Sequence, residues 1–262
     1  MKSLEIISKD NSKIKFLKQL QQKKYRDKFE KFFVENAVLI CDALRSEFFF
    51  ESLFVTENFI GKNKKKFDFI LDHTNAKEYY LISEKINRSF SNFDTAPGIC
   101  AIYHKKRKEI DFTKPIIYLN GINDPGNLGT ILRSALAFDL ENIVVDEKCA
   151  DIYNPKTISA SKDAIFKLNI ISDKNLKIFN EIKEKMKIFS TRIKRSETLD
   201  ILKNEKLFCL ILGNESHGVD KELQEMADAY LKIEMEEKME SLNVASASAI
   251  IFHEIYKTRK QN

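Results

Sequence analysis

Near the start of the chain the apolar positions recur at helical spacing. Ile14, Leu17 and Leu20 fall three residues apart, which predicts an amphipathic helix over residues 14 to about 29 whose polar face is crowded with lysine. Beyond it, residues 32–34 read as a short strand, 37–46 as a helix and the Phe- and Val-rich run 48–56 as a strand. Short apolar and helical pieces then alternate up to a further strand at 98–103. Together these make a small α/β sandwich of about a hundred residues.

The run HKKRKEIDFTK at 104–114 is polar and charged. It reads as the junction, giving a domain at 1–106, a linker at 107–114 and a second domain at 115–262. The second block alternates strand and helix. Strands are predicted at 116–119, 142–145, 168–171, 187–190, 207–212 and 230–233, and helices begin near Asn127, Asn154, Lys174, Asp220 and Asn243. Apolar runs such as LFCLIL, flanked by helices, suit a parallel sheet covered on both faces. No repeat or low-complexity tract interrupts the pattern.

Composition sharpens this picture in three places. At 262 residues and 43% hydrophobic, the chain can build one large domain or two of ordinary size. Residues 1–20 lack the continuous apolar stretch of a signal peptide, and no later stretch approaches the ~18 apolar residues a membrane span needs. The expectation is a soluble, cytoplasmic protein with no membrane partner. Cys41, Cys100, Cys149 and Cys209 lie far apart, with no CxxC pair and no His at ligand spacing. They read as small core residues, and neither a metal site nor a disulfide frame is expected.

Charge is unevenly placed. Residues 1–112 carry 22 Lys and Arg against 16 Asp and Glu, while the remainder carries 22 against 23. Lys13, Lys15, Lys18, Lys23, Lys24, Arg26, Lys28 and Lys31 face only Asp27 and Glu30 within one short stretch. Such a cluster suits a polyanion, because each neutralised phosphate releases condensed counterions. It also describes a solvated helix face. Lys13, Lys15, Lys23, Lys24, Arg26 and Lys28 are the candidate nucleic-acid contacts. The lysines at 62–66 read as a solvated turn after Gly61.

Three strand-to-helix junctions in the second block have the composition of a site. The first is NGINDPGNLGTILR, residues 120–133, where a turn rich in Gly, Pro and Asn opens a helix that carries Arg133 six positions after Asn127. A helix N-terminus favours anions, and a guanidinium adds bidentate recognition of phosphate or carboxylate. A structural turn followed by an exposed Arg would look the same. The second is LILGNESHGV, residues 210–219, where Gly213 and Gly218 permit the close backbone approach of a flat cofactor. Glu215 is a helix-start charge or a hydrogen-bonding group of the site. His217 has no evident orienting partner and reads as a loop histidine. The third, residues 233–256, holds Ser241 and Asn243 at a helix mouth, where both are good caps, followed by the small-residue run ASASA. His253 reads as a structural or interface residue. No P-loop and no GxGxxG is present, which removes the common nucleotide folds.

Taken in order, N-x-G-x-x-x-R, L-G-N-E-x-x-G and M-x-S-L-N-V-A resemble the three motifs of the SpoU/TrmH family of RNA ribose methyltransferases, part of the SPOUT class. The resemblance is strong over residues 115–260 and weaker at the front, which is similar to the family's L30e-like substrate-binding domain. It implies an α/β fold whose C-terminal parallel sheet carries a deep trefoil knot, preceded by a small L30e-like α/β domain. It implies S-adenosylmethionine as cofactor, RNA as substrate and a homodimer through the catalytic domain.

By position, Asn127, Arg133, Glu215, Ser241 and Asn243 match the family's polar site residues, and Leu212, Gly213, Gly218, Ile233 and Leu242 its cofactor contacts. Arg133 is expected to hold the target phosphate or ribose, Ser241 and Asn243 to shape the pocket, and Glu215 to support them. Two departures stand out: Ala245 replaces a second serine, and Glu35-Asn36 stands where Glu-Gly is common. The expected activity is 2'-O-methylation of structured RNA, with 23S ribosomal RNA favoured over tRNA. The competing reading is a non-catalytic RNA-binding or ribosome-assembly protein on the same fold.

Overall fold

A computed structural model describes the chain apart from residues 107, 193–195, 237, 239, 240 and 262, and the side chains of Lys203, Asn204 and Gln261. It divides into two compact units, Met1–Lys106 with Tyr153–Ile158, and Arg107–Ile152 with Ser159–Asn262.

The first unit is built on a mixed sheet of β1 (Lys2–Ile6), β2 (Lys31–Val34), β3 (Ser52–Val55), β4 (Glu78–Ile82) and β5 (Ile99–His104), in the order β1-β4-β3-β5-β2. The β1–β4 and β4–β3 pairs are parallel, and β5 runs antiparallel to β3 and β2. Ile14, Leu17 and Leu20 are fully buried and pack with Phe33, Phe54, Ile82 and Ile102, which is why their spacing reads so clearly as a helix.

That helix is shorter than its pattern suggests. It spans Ser12–Leu20, capped by the Asn11 side chain, and a second helix runs Lys23–Phe29. The break follows from the sequence beyond Leu20, where polar residues occupy the next core positions. It is also held from within, since the Arg26 guanidinium donates to the carbonyls of Leu20 at 2.8 Å and Gln21 at 2.7 Å. The strand expected over 48–56 shrinks to β3, because Phe48 and Phe50 are buried outside it with their rings against Tyr103.

The second unit holds a six-stranded sheet, β6 (Ile116–Leu119), β7 (Asn142–Val145), β8 (Asn169–Ser172), β9 (Lys187–Thr191), β10 (Phe208–Leu212) and β11 (Ala229–Leu231). Its order is β11-β9-β10-β6-β7-β8 and every pair is parallel. β6, β7 and β10 are buried throughout, as expected when helices cover both faces. The helix after β6 starts at Pro125, two residues before Asn127, with Asp124 accepting from the Asn127 backbone N–H at 2.7 Å. The helix expected near Lys174 starts at Lys177, because Asp173 caps the amides of Ile178 and Phe179. Two short helical pieces, Ala164–Lys167 and the 3-10 turn Leu199–Asn204, have no counterpart in the periodicity.

The polar segment after β5 does not hang free. Ile110 and Phe112 pack against the second unit's core. The carbonyls of Glu109 and Asp111 accept from Asn169 at 2.8 Å and Asn142 at 2.6 Å, and Lys114 pairs with Glu141 at 2.7 Å. Arg107, at its start, lies outside the described residues.

Candidate active site

All three motif-bearing segments leave the carboxyl edge of the second sheet or end beside it. β6 runs into Asn120, β10 into Gly213, and the third segment enters the final helix, Val244–Gln261. Asn243 supplies the cap of that helix, its Oδ1 accepting from the backbone of Ala245 at 2.9 Å and Ser246 at 3.3 Å. Its Nδ2 donates to Asn127 Oδ1 at 3.1 Å. Asn127 Nδ2 in turn donates to Glu215 Oε1. One residue from each segment therefore meets in a single chain of hydrogen bonds, with Asn127 in the middle.

The Glu215 loop is rigidly made. The backbones of Asn214 and Gly218 exchange hydrogen bonds at 2.9 and 2.8 Å, and Gly218 has φ +70°. At its root Gly213 is buried where no other residue fits, since a Cβ there would overlap the Val219 nitrogen and the Gly218 carbonyl carbon. Leu212 is 1% exposed at the strand end, and Leu242 is 37% exposed. Ile233 is half-buried.

Not every expected residue joins the network. Arg133 is exposed on the helix Pro125–Ala137, and its guanidinium has no hydrogen bond or ion pair with any described residue. Ser241 is exposed without a described hydrogen bond. Met239 and Glu240, which open the third motif, lie outside the described residues. His217 is exposed in the loop. His253 packs its ring on Phe138.

A second polar cluster escapes sequence reading. Asn120 is 2% exposed. Its Nδ2 donates to Asp146 at 2.7 Å and Asp220 at 2.9 Å, and its Oδ1 accepts from the Asp220 backbone at 2.8 Å. Lys148 pairs with Asp220 at 2.6 Å. The Lys148 ammonium, followed by the Asn120 amide, holds the Asp220 carboxyl below its ordinary value. These groups border a cleft of about 280 Å³ at the ends of β6, β7 and β8, also lined by Tyr118 and Asp173. The only hint in the chain is a polar residue directly after each of several apolar strands.

With this geometry in place the chain can be set beside known proteins. A model of the SpoU rRNA Methylase family matches residues 114–253. The chain belongs to that family. A model of the MRM3-like substrate binding domain matches residues 11–101. The 23S rRNA (guanosine(2553)-2'-O)-methyltransferase RlmP of Bacillus subtilis is 29% identical over 256 residues, covering 97% of this chain and 99% of that protein. A solved RNA 2'-O ribose methyltransferase superposes with a TM-score of 0.79 at 25% identity, over 98% of this chain and 100% of the other. An rRNA methyltransferase from Sinorhizobium meliloti shares the fold at a TM-score of 0.83 and 22% identity, over 100% and 99% of the two chains.

As a SpoU-family chain, this one carries its basic surface on the unit that matches the substrate-binding model. Lys13, Lys15, Lys23, Lys24 and Lys28 are exposed, and Lys13 lies 4.6 Å from the ring centre of Tyr80, Lys24 4.8 Å from that of Tyr25. Arg26 departs from the expectation. It is 3% exposed and committed to the carbonyls that end the preceding helix, so it is a structural residue and not a surface contact. The four cysteines are buried thiols, with burial pushing each upward. Among the described residues no helix is long and apolar enough to cross a membrane.

Proposed function

We propose that the protein is an S-adenosylmethionine-dependent methyltransferase acting on a ribose 2'-hydroxyl of structured RNA, with 23S ribosomal RNA as its substrate and the cytoplasm as its place of work. The observation that carries this reading is the join of Asn127, Glu215 and Asn243, one residue from each motif of a SpoU-family chain.

The chain's own groups suit the cofactor. Gly218 has open space beside it, so a flat group can lie against backbone there with Ile233 and Leu242 as apolar walls. Gly213, bare of side chain, lets the loop close on the end of β10 behind Leu212. When bound, S-adenosylmethionine would supply an electrophilic methyl on a sulfonium whose leaving group is a neutral thioether, the ribose hydroxyl giving up its proton to solvent. The protein's part is placement. Holding a ribose hydroxyl in attack geometry contributes about 7–11 kcal/mol. Arg133, whose guanidinium can donate bidentately to an anion, holds the target's phosphate or ribose. Ser241 and Asn243 shape the pocket, and Asn127 with Glu215 keeps them in register.

The lysines of the first unit bind the RNA backbone. A second copy of the chain docks on the catalytic unit, and its Arg133 completes the neighbouring site. Arg133, without a partner among the described residues, and the 41% exposure of Ile250 on the final helix support this. The C-terminal segment threads a loop to form a trefoil knot. In support, β11 lies at one edge of the sheet, whereas the helix that follows packs against Pro125–Ala137.

Calorimetric titration with S-adenosylmethionine, S-adenosylhomocysteine and ATP, followed by mapping of ribose methyls on 23S rRNA and tRNA, tests the reading. Binding of the first two alone and a new methyl on 23S rRNA are expected. A methyl confined to tRNA would move the substrate. No binding of either methionine compound, even with RNA, would leave a non-catalytic RNA-binding module.

A further inference from the structure

We infer that Asn120 is a positioning residue for the methyl-transfer site, acting through the loop 214–218; this rests on the methyltransferase reading above. Asn120 ends β6, and its carboxamide links that strand's exit to Asp146 beyond β7 and to Asp220 beyond the loop. The next residue, Gly121, accepts through its carbonyl from Asn214 Nδ2 at 2.8 Å, and its amide donates to Asp146 at 3.1 Å. The loop is thus tied on both flanks, by Asn214 and Asp220, to two consecutive residues of the first segment. Glu215 rides on that loop and meets Asn127.

The loop cannot absorb a shift at one flank, because the backbone of Gly218 and Val219 already lies against Gly213. Asn is the side chain this place requires. It donates to two carboxylates while accepting one backbone N–H. A carboxylate there would add a third negative charge to Asp146 and Asp220. Lys148 at 2.6 Å from Asp220 offsets it, whereas Glu147, Asp173 and Glu222 around the adjoining cleft oppose it.

The test is calorimetric titration of the full-length protein with S-adenosylhomocysteine at about pH 8 and about pH 5.5, since crowded carboxylates take up protons in that range. Thermal melts check that each variant is folded. Wild type should bind equally at both. Asn120→Asp should bind about tenfold weaker at the higher pH, from unmet buried acceptors, and recover at the lower, where a protonated carboxyl again donates. The double variant N120D/D220N restores an amide–carboxylate pair between positions 120 and 220 while Asp146 still faces the new carboxylate. It should therefore recover part of the binding at the higher pH and serves if the single variant does not fold. Wild-type affinity of N120D at both pH values, or an equal loss at both, or no recovery in the double variant would overturn the inference alone. Failure of the wild type to bind would overturn the methyltransferase reading with it.

Discussion

The carboxamides of Asn127 and Asn243 meet at 3.1 Å across 116 residues of chain, Asn243 donating and Asn127 accepting. Each amide is engaged through both its oxygen and its nitrogen. Asn243 spends its oxygen on the final helix and Asn127 its nitrogen on Glu215. Asn127→Ala therefore loosens all three segments at once, and misplacement of about 1 Å costs on the order of 10²-fold in rate. Single-turnover methyl transfer should show that loss. Asn243→Ala should add about 1 kcal/mol of destabilisation from the lost cap, read in a denaturant melt.

Arg133 separates function from stability. It is exposed and unpartnered among the described residues, so Arg133→Ala should change folding free energy by less than about 0.5 kcal/mol. Methyl transfer to RNA should nevertheless fall to background while S-adenosylhomocysteine still binds. Retained transfer would remove Arg133 from the target-binding role.

Gly213→Ala acts oppositely. The added methyl overlaps backbone that has nowhere to go, and overpacking of this kind costs about 1–3 kcal/mol. A lowered Tm together with weakened cofactor binding is expected. A variant with wild-type affinity would mean that the loop is not the cofactor's wall.

Within the basic helices, two substitutions that look alike should behave differently. Reversing Lys23 and Lys24 should weaken RNA binding and flatten its dependence on log salt, by about 0.7–0.9 for each phosphate no longer neutralised, with Tm unchanged. Arg26→Ala should instead lower Tm, because buried carbonyls lose a charged donor at a cost of about 1–3 kcal/mol.

The Lys148–Asp220 pair predicts an acid limb. Its carboxyl lies below the ordinary 3.8, chiefly through Lys148. An acid that ionises more readily folded than unfolded stabilises fully above its ordinary value and loses that contribution as pH falls through the lower, folded one. The Tm difference between wild type and Lys148→Ala should therefore be widest near neutrality and close as the pH drops below about 4. A difference that persists in acid would assign the effect to packing.

How much of this is legible in the chain depends on what each residue packs against. β6, β7 and β10 are continuous apolar runs because both faces of their sheet are covered, and their positions follow from sequence almost to the residue. β1 hides, since only Ile6 is buried and the strand is held by backbone pairing to β4. The break before Lys23 hides for a related reason, as the partners of Arg26 are carbonyls, which leave no trace in side-chain spacing. Asn127, Glu215 and Asn243 stand out by residue type in loops that leave strands or open helices. Asn120, Asp146 and Asp220 each pass for an ordinary turn or cap residue, because their partnership spans 26 and 100 positions.

The central place of β10 has a bearing on how the molecule is made. It is the fifth of six strands to be synthesised, yet it lies between β6 and β9. Every strand of the first sheet has emerged by His104, whereas the second sheet lacks its middle until residue 212 leaves the ribosome. At ordinary elongation rates that delay is roughly ten seconds. During it the edges of β6 and β9 remain unpaired and open to association with other chains. A growing polypeptide therefore offers a finished first sheet well before it can close a cofactor pocket, and its need for chaperone protection is concentrated in that interval.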